Sequence, residues 1–185
     1  MATSKEESIK SSLRRSVSTK KPEVWKLRQQ QCVYLEQPRA QIEKHAHQVD
    51  HVLEIQMLDK MFYPISNITR QSQKQFSTIV NDSRQLNITT AECNMIKMGA
   101  VKSVLNAKPT ETELGLLDTF RKNKKQNREL VLGRYDKFAT NVCSTIVETY
   151  DSYLEKEIQN KIDNPHVRDT LCDNLNDMLF NKLKL

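Results

Sequence analysis

From Thr110 to Asp163 the chain runs without a proline, opened by Pro109 and closed by Asn164 and Pro165. A helix over that whole span, at about 1.5 Å per residue, would be on the order of 80 Å long, more than a compact domain can enclose. Thr110 with Glu113 three residues on reads as a capping box, and Glu111 and Glu113 suit the positive end of a helix dipole. From there Val131, Tyr135, Phe138, Val142, Ile146, Tyr150, Leu154, Ile158 and Ile162 recur every three to four residues. Charged residues such as Asp136, Glu148, Asp151, Glu155 and Lys156 stand between them. One apolar stripe on a charged rod needs a helix to cover it, from this chain or another. The expectation is an elongated coiled-coil helix over 109–163 whose stripe is the main partner-binding surface.

The rest of the composition points to an all-α class. Three glycines, Gly99, Gly115 and Gly133, serve 185 residues, leaving little from which to build tight hairpins or glycine-rich phosphate loops. Cys32, Cys93, Cys143 and Cys172 stand far apart, the pattern of reduced, buried thiols and not of a disulfide framework or zinc site. No apolar run long enough for a membrane span and no hydrophobic signal core is present, so a cytoplasmic or nuclear location is expected, with cytoskeletal association among its forms. On that basis the glycosylation-like triplets at Asn67, Asn81 and Asn87 are read as accidents.

The net charge of +6 is unevenly placed. Residues 1–37 carry eight basic against four acidic side chains, 38–109 nine against six, and 110–163 nine against ten. Residues 1–21 form a Ser/Thr-rich basic segment expected to be disordered, with Arg14, Arg15, Lys20 and Lys21 as contacts for something acidic. Tubulin tails, nucleic acid or an anionic membrane would serve. Ser16 and Ser18 follow the arginines as phosphorylation candidates that would weaken such a contact. Residues 22–108 read as helical, broken at Pro38 and Pro64. One helix is expected from Pro38 to Tyr63 and another from about Ile65 to Val104. Asn164 and Pro165 open a last amphipathic helix over 164–185.

Three clusters invite a chemical reading. Glu43, His45, His47, Asp50, His51 and Glu54 would, on a helix, put two imidazoles and two carboxylates on one patch. Gln48 stands where the zinc-protease pattern needs a glutamate, and a boundary or solvated helix face accounts for the patch without a metal. Asp169, Asp173 and Asp177 line one side of the last helix but lack the alternating ligands and glycine turn of a calcium loop. Arg121, Lys122, Lys124, Lys125 and Arg128 interrupt the long stripe, reading as a solvated or bent section more than as a phosphate patch. No nucleophile elbow, phosphate loop or catalytic triad is present, and no cofactor is expected.

The reading these residues support is a non-enzymatic coiled-coil subunit of a larger assembly of cytoskeletal, spindle, kinetochore or tethering type. It would act as a scaffold or spacer with other helical subunits as partners. The alternatives are a compact four-helix-bundle adaptor, with the long helix folding back near Gly133 or the basic section, and a basic nucleic-acid-associated protein.

Overall fold

The computed structural model describes residues 17–62, 64–66, 68–107, 114–127, 131 and 133–185. The expected disorder of 1–16, the contacts at Arg14 and Arg15, the candidate Ser16 and the capping box of Thr110 and Glu113 lie outside the described residues. The chain is mostly helical, with two short antiparallel strand pairs. All-α therefore holds only roughly.

The long helix is not there. Helix α6 spans Leu116–Asn127 and α7 spans Tyr135–Thr149, with Gly133 between them at φ 70°. That left-handed backbone suits glycine, which has no Cβ to clash. The two helices then run side by side in opposite directions: Lys124 pairs with Asp136 at 2.5 Å, and one turn deeper Phe120 meets Tyr135 and Phe138 edge-on. Of the basic section, Arg121, Lys122, Lys124 and Lys125 lie on α6 ahead of the bend, with Arg121, Lys122 and Lys125 exposed, and Arg128 lies outside the described residues. Beyond Thr149 the helix continues through a π turn, Tyr150–Leu154, into α8, Glu155–Lys161. Helix α9, Pro165–Asn176, follows, with the Asn164 side chain accepting from the Val167 N–H at 3.2 Å.

With the rod folded, the partner stripe is sealed from within. Val131, Tyr135, Phe138, Val142, Ile146, Tyr150, Leu154, Ile158 and Ile162 are all buried by the chain's own residues. Their periodicity reports a core, and the assignment of them as a partner-binding surface is corrected accordingly. Phe138 sits at the centre, with Tyr34 and Phe120 edge-on and Tyr135 tilted against it. Leu183 closes the far end by accepting from the Leu116 N–H at 2.8 Å. A Cβ on Gly115 would stand 3.0 Å from Lys184 Cβ and 3.1 Å from the Leu183 carbonyl, a tight approach to which the C-terminal residues would have to yield.

The N-terminal half departs further from expectation. Residues 17–21 are ordered: a 3-10 turn, Ser18–Lys20, leads into α1, Lys21–Leu27. A two-residue strand pair follows, β1 Gln31–Cys32 with β2 Gln37–Pro38. The helix expected over 38–63 is instead the single turn α2, Arg39–Ile42, then strand β3, His47–His51, then α3, Ile55–Phe62. The helix expected over 65–104 is likewise divided into α4, Arg70–Val80, strand β4, Leu86–Thr90, and α5, Ala91–Leu105. β3 and β4 pair antiparallel from His47 opposite Thr90 to His51 opposite Leu86. The physical reason is in Leu86-Asn87-Ile88-Thr89-Thr90, whose β-branched residues favour a pleated, buried ladder over a helix. All five are buried, although Leu86 and Ile88 alternate with the polar Asn87 and Thr89.

Candidate functional site

The site grows from β3, β4 and the helix that β4 feeds. Thr90 ends β4 and caps α5, its hydroxyl accepting from the Cys93 N–H at 3.2 Å. That start sets the inward face of α5 as Cys93, Ile96, Lys97, Ala100 and Val101. Lys97 thus occupies a core position and is 0% exposed.

A buried ammonium needs partners for its charge and its three protons. Lys97 Nζ donates to Asp50 Oδ2 at 2.5 Å, Tyr34 OH at 3.2 Å, the His51 carbonyl and the Val52 carbonyl at 3.3 Å. Glu54 Oε1 lies 3.1 Å away as an ion pair without hydrogen-bond alignment. The Tyr34 hydroxyl donates to Asp50 Oδ2 at 3.1 Å. Two carboxylates therefore share one cation. Burial pushes Asp50 and Glu54 above the ordinary carboxylate range, with Lys97 pulling each part of the way back. Burial alone would lower Lys97, but Asp50, Glu54 and Tyr34 outweigh it and hold the ammonium well above its usual value.

The two histidines are fixed differently. His47 meets the Lys21 ammonium at Nε2 and the His45 carbonyl, 2.9 Å away, at Nδ1. An ammonium only donates, so Nε2 accepts and Nδ1 carries the proton. His51 Nε2 lies 2.9 Å from Asn81 Oδ1, which can only accept, so this nitrogen is the donor. Burial first, then the Lys97 charge, push the His51 pKa below its ordinary value despite that bond. The ring is therefore neutral at pH 7, with Nδ1 as its basic nitrogen.

A cleft of about 750 Å³ opens on this arrangement, with Asp50, His51, Glu54 and Asn94 in its walls and Ser18, Lys21 and His47 also lining it. Asn94 lies one turn before Lys97 on α5, and its Oδ1 is buried without a hydrogen-bond partner in the protein. A buried amide oxygen left unpaired is costly, which marks a place where a donor or cation fits. Among the described residues no cluster of three or more His, Cys, Asp or Glu forms a metal cage.

Of the expected six-residue patch, the structure keeps His47, Asp50, His51 and Glu54 together, on a strand and the turn after it and not on a helix face. Glu43 pairs with Arg39 at 3.0 Å and lies 3.8 Å from Lys21, the lysine that also meets His47. Asp50, His51 and Glu54 are buried, which corrects the reading of this patch as a solvated face. Asp169, Asp173 and Asp177 are exposed, as is Ser18. Lys97, Asn94 and Tyr34 were not among the sequence candidates. For Lys97 the signal was available: a lysine one helical turn after Cys93 and one before Val101 falls inside an apolar stripe.

No family model, curated protein or solved structure matches this chain. Among the described residues no helix is long and apolar enough to cross a membrane.

Proposed function

We propose that this chain is a compact phosphate-ester hydrolase, binding one divalent cation and a phosphate-bearing ligand in the β3–β4–α5 cleft. The observation that carries the reading is that Asp50, His51 and the unpaired Asn94 oxygen line one cleft. Lys97 and Tyr34 both bind Asp50 Oδ2, and the cation is assigned to the other oxygen of that carboxylate, which it would share with the His51 backbone N–H, with Asn94 Oδ1 as second protein ligand. One carboxylate, one amide oxygen and several waters is a donor set that suits Mg²⁺ or Mn²⁺. Such a cation would neutralise charge developing on a bound phosphate. His51, neutral because it is buried, takes the proton from the attacking water. The water oxygen bonds to phosphorus, and the ester oxygen leaves with the bonding electron pair and is protonated from solvent. Lys21 at the rim supplies positive charge for the phosphate. The net charge of +6 favours a polyanionic ester, so a nucleic-acid backbone is the ligand class.

The test is hydrolysis of bis(p-nitrophenyl) phosphate and of single-stranded and duplex nucleic acid, with Mn²⁺ titrated calorimetrically. Expected are cation-dependent cleavage, loss of cleavage with retained Mn²⁺ binding in His51→Ala, and weaker Mn²⁺ binding in Asn94→Ala. A folded wild-type protein that neither binds Mn²⁺ at millimolar concentration nor cleaves overturns the proposal.

A second reading, a non-enzymatic compact adaptor, draws on Met95 and Met98, which are 57% and 47% exposed three residues apart on the outer side of α5. Size-exclusion with multi-angle scattering checks it, a stable oligomer that dissociates in Met95→Lys/Met98→Lys being the expected result. The scaffold reading required a continuous rod with an open stripe, and its support falls with the bend at Gly133.

A further inference from the structure

Ser18 lines the mouth of the same cleft, is exposed, and stands three residues after Arg15 in Arg14-Arg15-Ser16-Val17-Ser18. The chain turns tightly here: the Lys21 N–H donates to the Ser18 carbonyl, so both side chains leave one turn. Lys21 lines the cleft as well, its ammonium on His47 Nε2. An accessible hydroxyl with arginines three and four residues before it, beside the one lysine among the described residues that lines the cleft, is a modification site whose product has a ready partner. We infer that Ser18 is a phosphoacceptor whose phosphate docks on Lys21 and closes the cleft to anionic ligands.

In the step itself the Ser18 hydroxyl oxygen bonds to the γ-phosphorus of ATP held by a basophilic kinase. The bond to the β–γ bridging oxygen breaks, ADP leaves with that electron pair, and the hydroxyl proton goes to the kinase's base. The product carries a charge of about −1.5 to −2 at neutral pH, enough to form charge-assisted hydrogen bonds with an ammonium. Docked on Lys21, it fills the place a ligand phosphate would take and repels the rest of a polyanion. The closing effect rests on the proposed reading of the cleft; the docking does not.

The experiment therefore has two arms, both on the full chain. A basophilic kinase with ATP is applied to wild type, Ser18→Ala and Lys21→Ala, and the phosphorylated position is mapped by mass spectrometry. ³¹P titration then reads the phosphoserine, whose second pKa is expected about half a unit or more below the ordinary value of about 6 in wild type and back at it in Lys21→Ala. Absence of phosphate at Ser18, or the same titration in both proteins, overturns the inference. In the second arm, cleavage of bis(p-nitrophenyl) phosphate is expected to fall about tenfold on phosphorylation of wild type and to be unchanged in kinase-treated Ser18→Ala. An unchanged wild-type rate with Ser18 fully modified overturns the closure. If the unmodified protein is inactive, the hydrolase reading fails, and the ³¹P arm alone decides the docking.

Discussion

Around Phe138 the interior is apolar and aromatic, with Tyr34, Phe120 and Tyr135 against one ring. Around Lys97, on the far side of Tyr34, it is ionic: two carboxylates and two backbone carbonyls surround one ammonium. The first region holds together by removing apolar surface from water, a non-directional gain that tolerates no missing volume. The second holds together only while its charges match, because a buried ion without its counterpart costs more than the pair contributes. Tyr34 joins the two, its ring edge-on to Phe138 and its hydroxyl in the Lys97 network. The contrast shows how a chain poor in aromatic residues can carry both a firm core and a charged cleft.

The largest expected effect is on the apolar side. Phe138→Ala removes the ring at the centre of the aromatic group and leaves a cavity that its neighbours can only partly fill. The expected loss is about 4 kcal/mol, read as a lower urea midpoint with unchanged slope. The loss should not vary between pH 5 and pH 8, since the rings meeting Phe138 include no group that titrates in that range. A pH-dependent loss would break the division between the two regions.

Lys97→Met is the matching experiment on the ionic side. It strands Asp50 and Glu54 without their cation, and about 3 kcal/mol is expected to be lost at pH 7. Here the loss must depend on pH. Burial already raises both carboxyls above their ordinary values, and without Lys97 they rise further. A group raised in the folded state contributes stability that is present below its unfolded pKa, about 4, and lost as pH rises through the folded value. The penalty of Lys97→Met therefore shrinks as pH falls from 7 towards 4. Adding Asp50→Asn and Glu54→Gln should recover most of it at pH 7. A pH-independent loss would mean that Lys97 acts there only as filler.

The same contrast explains what was legible beforehand. Helical periodicity located the apolar residues from Val131 to Ile162 well, because every one of them is core. It could not say whether a second helix of the same chain would cover them, since a stripe has the same spacing in either case. The decisive residue was Gly133, one glycine whose left-handed backbone lets the chain reverse. Around Lys97 the period itself misled. Ile42, Ala46, Val49 and Leu53 have helical spacing, yet Val49 sits on a strand opposite Ile88. Four apolar residues three to four apart fit a helix by period even where a short strand and the turns around it carry them. The chemistry of His47, Asp50, His51 and Glu54 was visible as residue types, but Tyr34, Asn94 and Lys97 come from distant parts of the chain that only the fold unites.

The smallest effects test how each region turns its chain. The helical hairpin reverses through Gly133 at φ 70°, and a Cβ built there meets nothing within 4 Å. The cost of Gly133→Ala is then backbone strain alone, an expected loss of about 1 kcal/mol. On the strand side, turns with the same handedness use side chains that resist it: Gln29, Gln30 and Glu36 have φ of 52°, 61° and 47°. Glu36 is held by Lys137 and Asn141, which gives its strain a partner interaction to offset it. Gln30 is exposed; its N–H donates to the Trp25 carbonyl at 2.8 Å and its carbonyl accepts from the Arg39 N–H at 2.7 Å, while its side chain adds a long 3.5 Å contact from the Arg39 guanidinium to Oε1. Gln30→Gly keeps both backbone bonds and relieves the strain, at the cost of the long exposed Arg39 contact and a looser unfolded chain, so a net gain of at most about 0.5 kcal/mol is expected in urea unfolding. A loss in Gln30→Gly of the size seen in Gly133→Ala would mean that the glutamine side chain holds the turn, and that the strand side is stabilised by more than its charges.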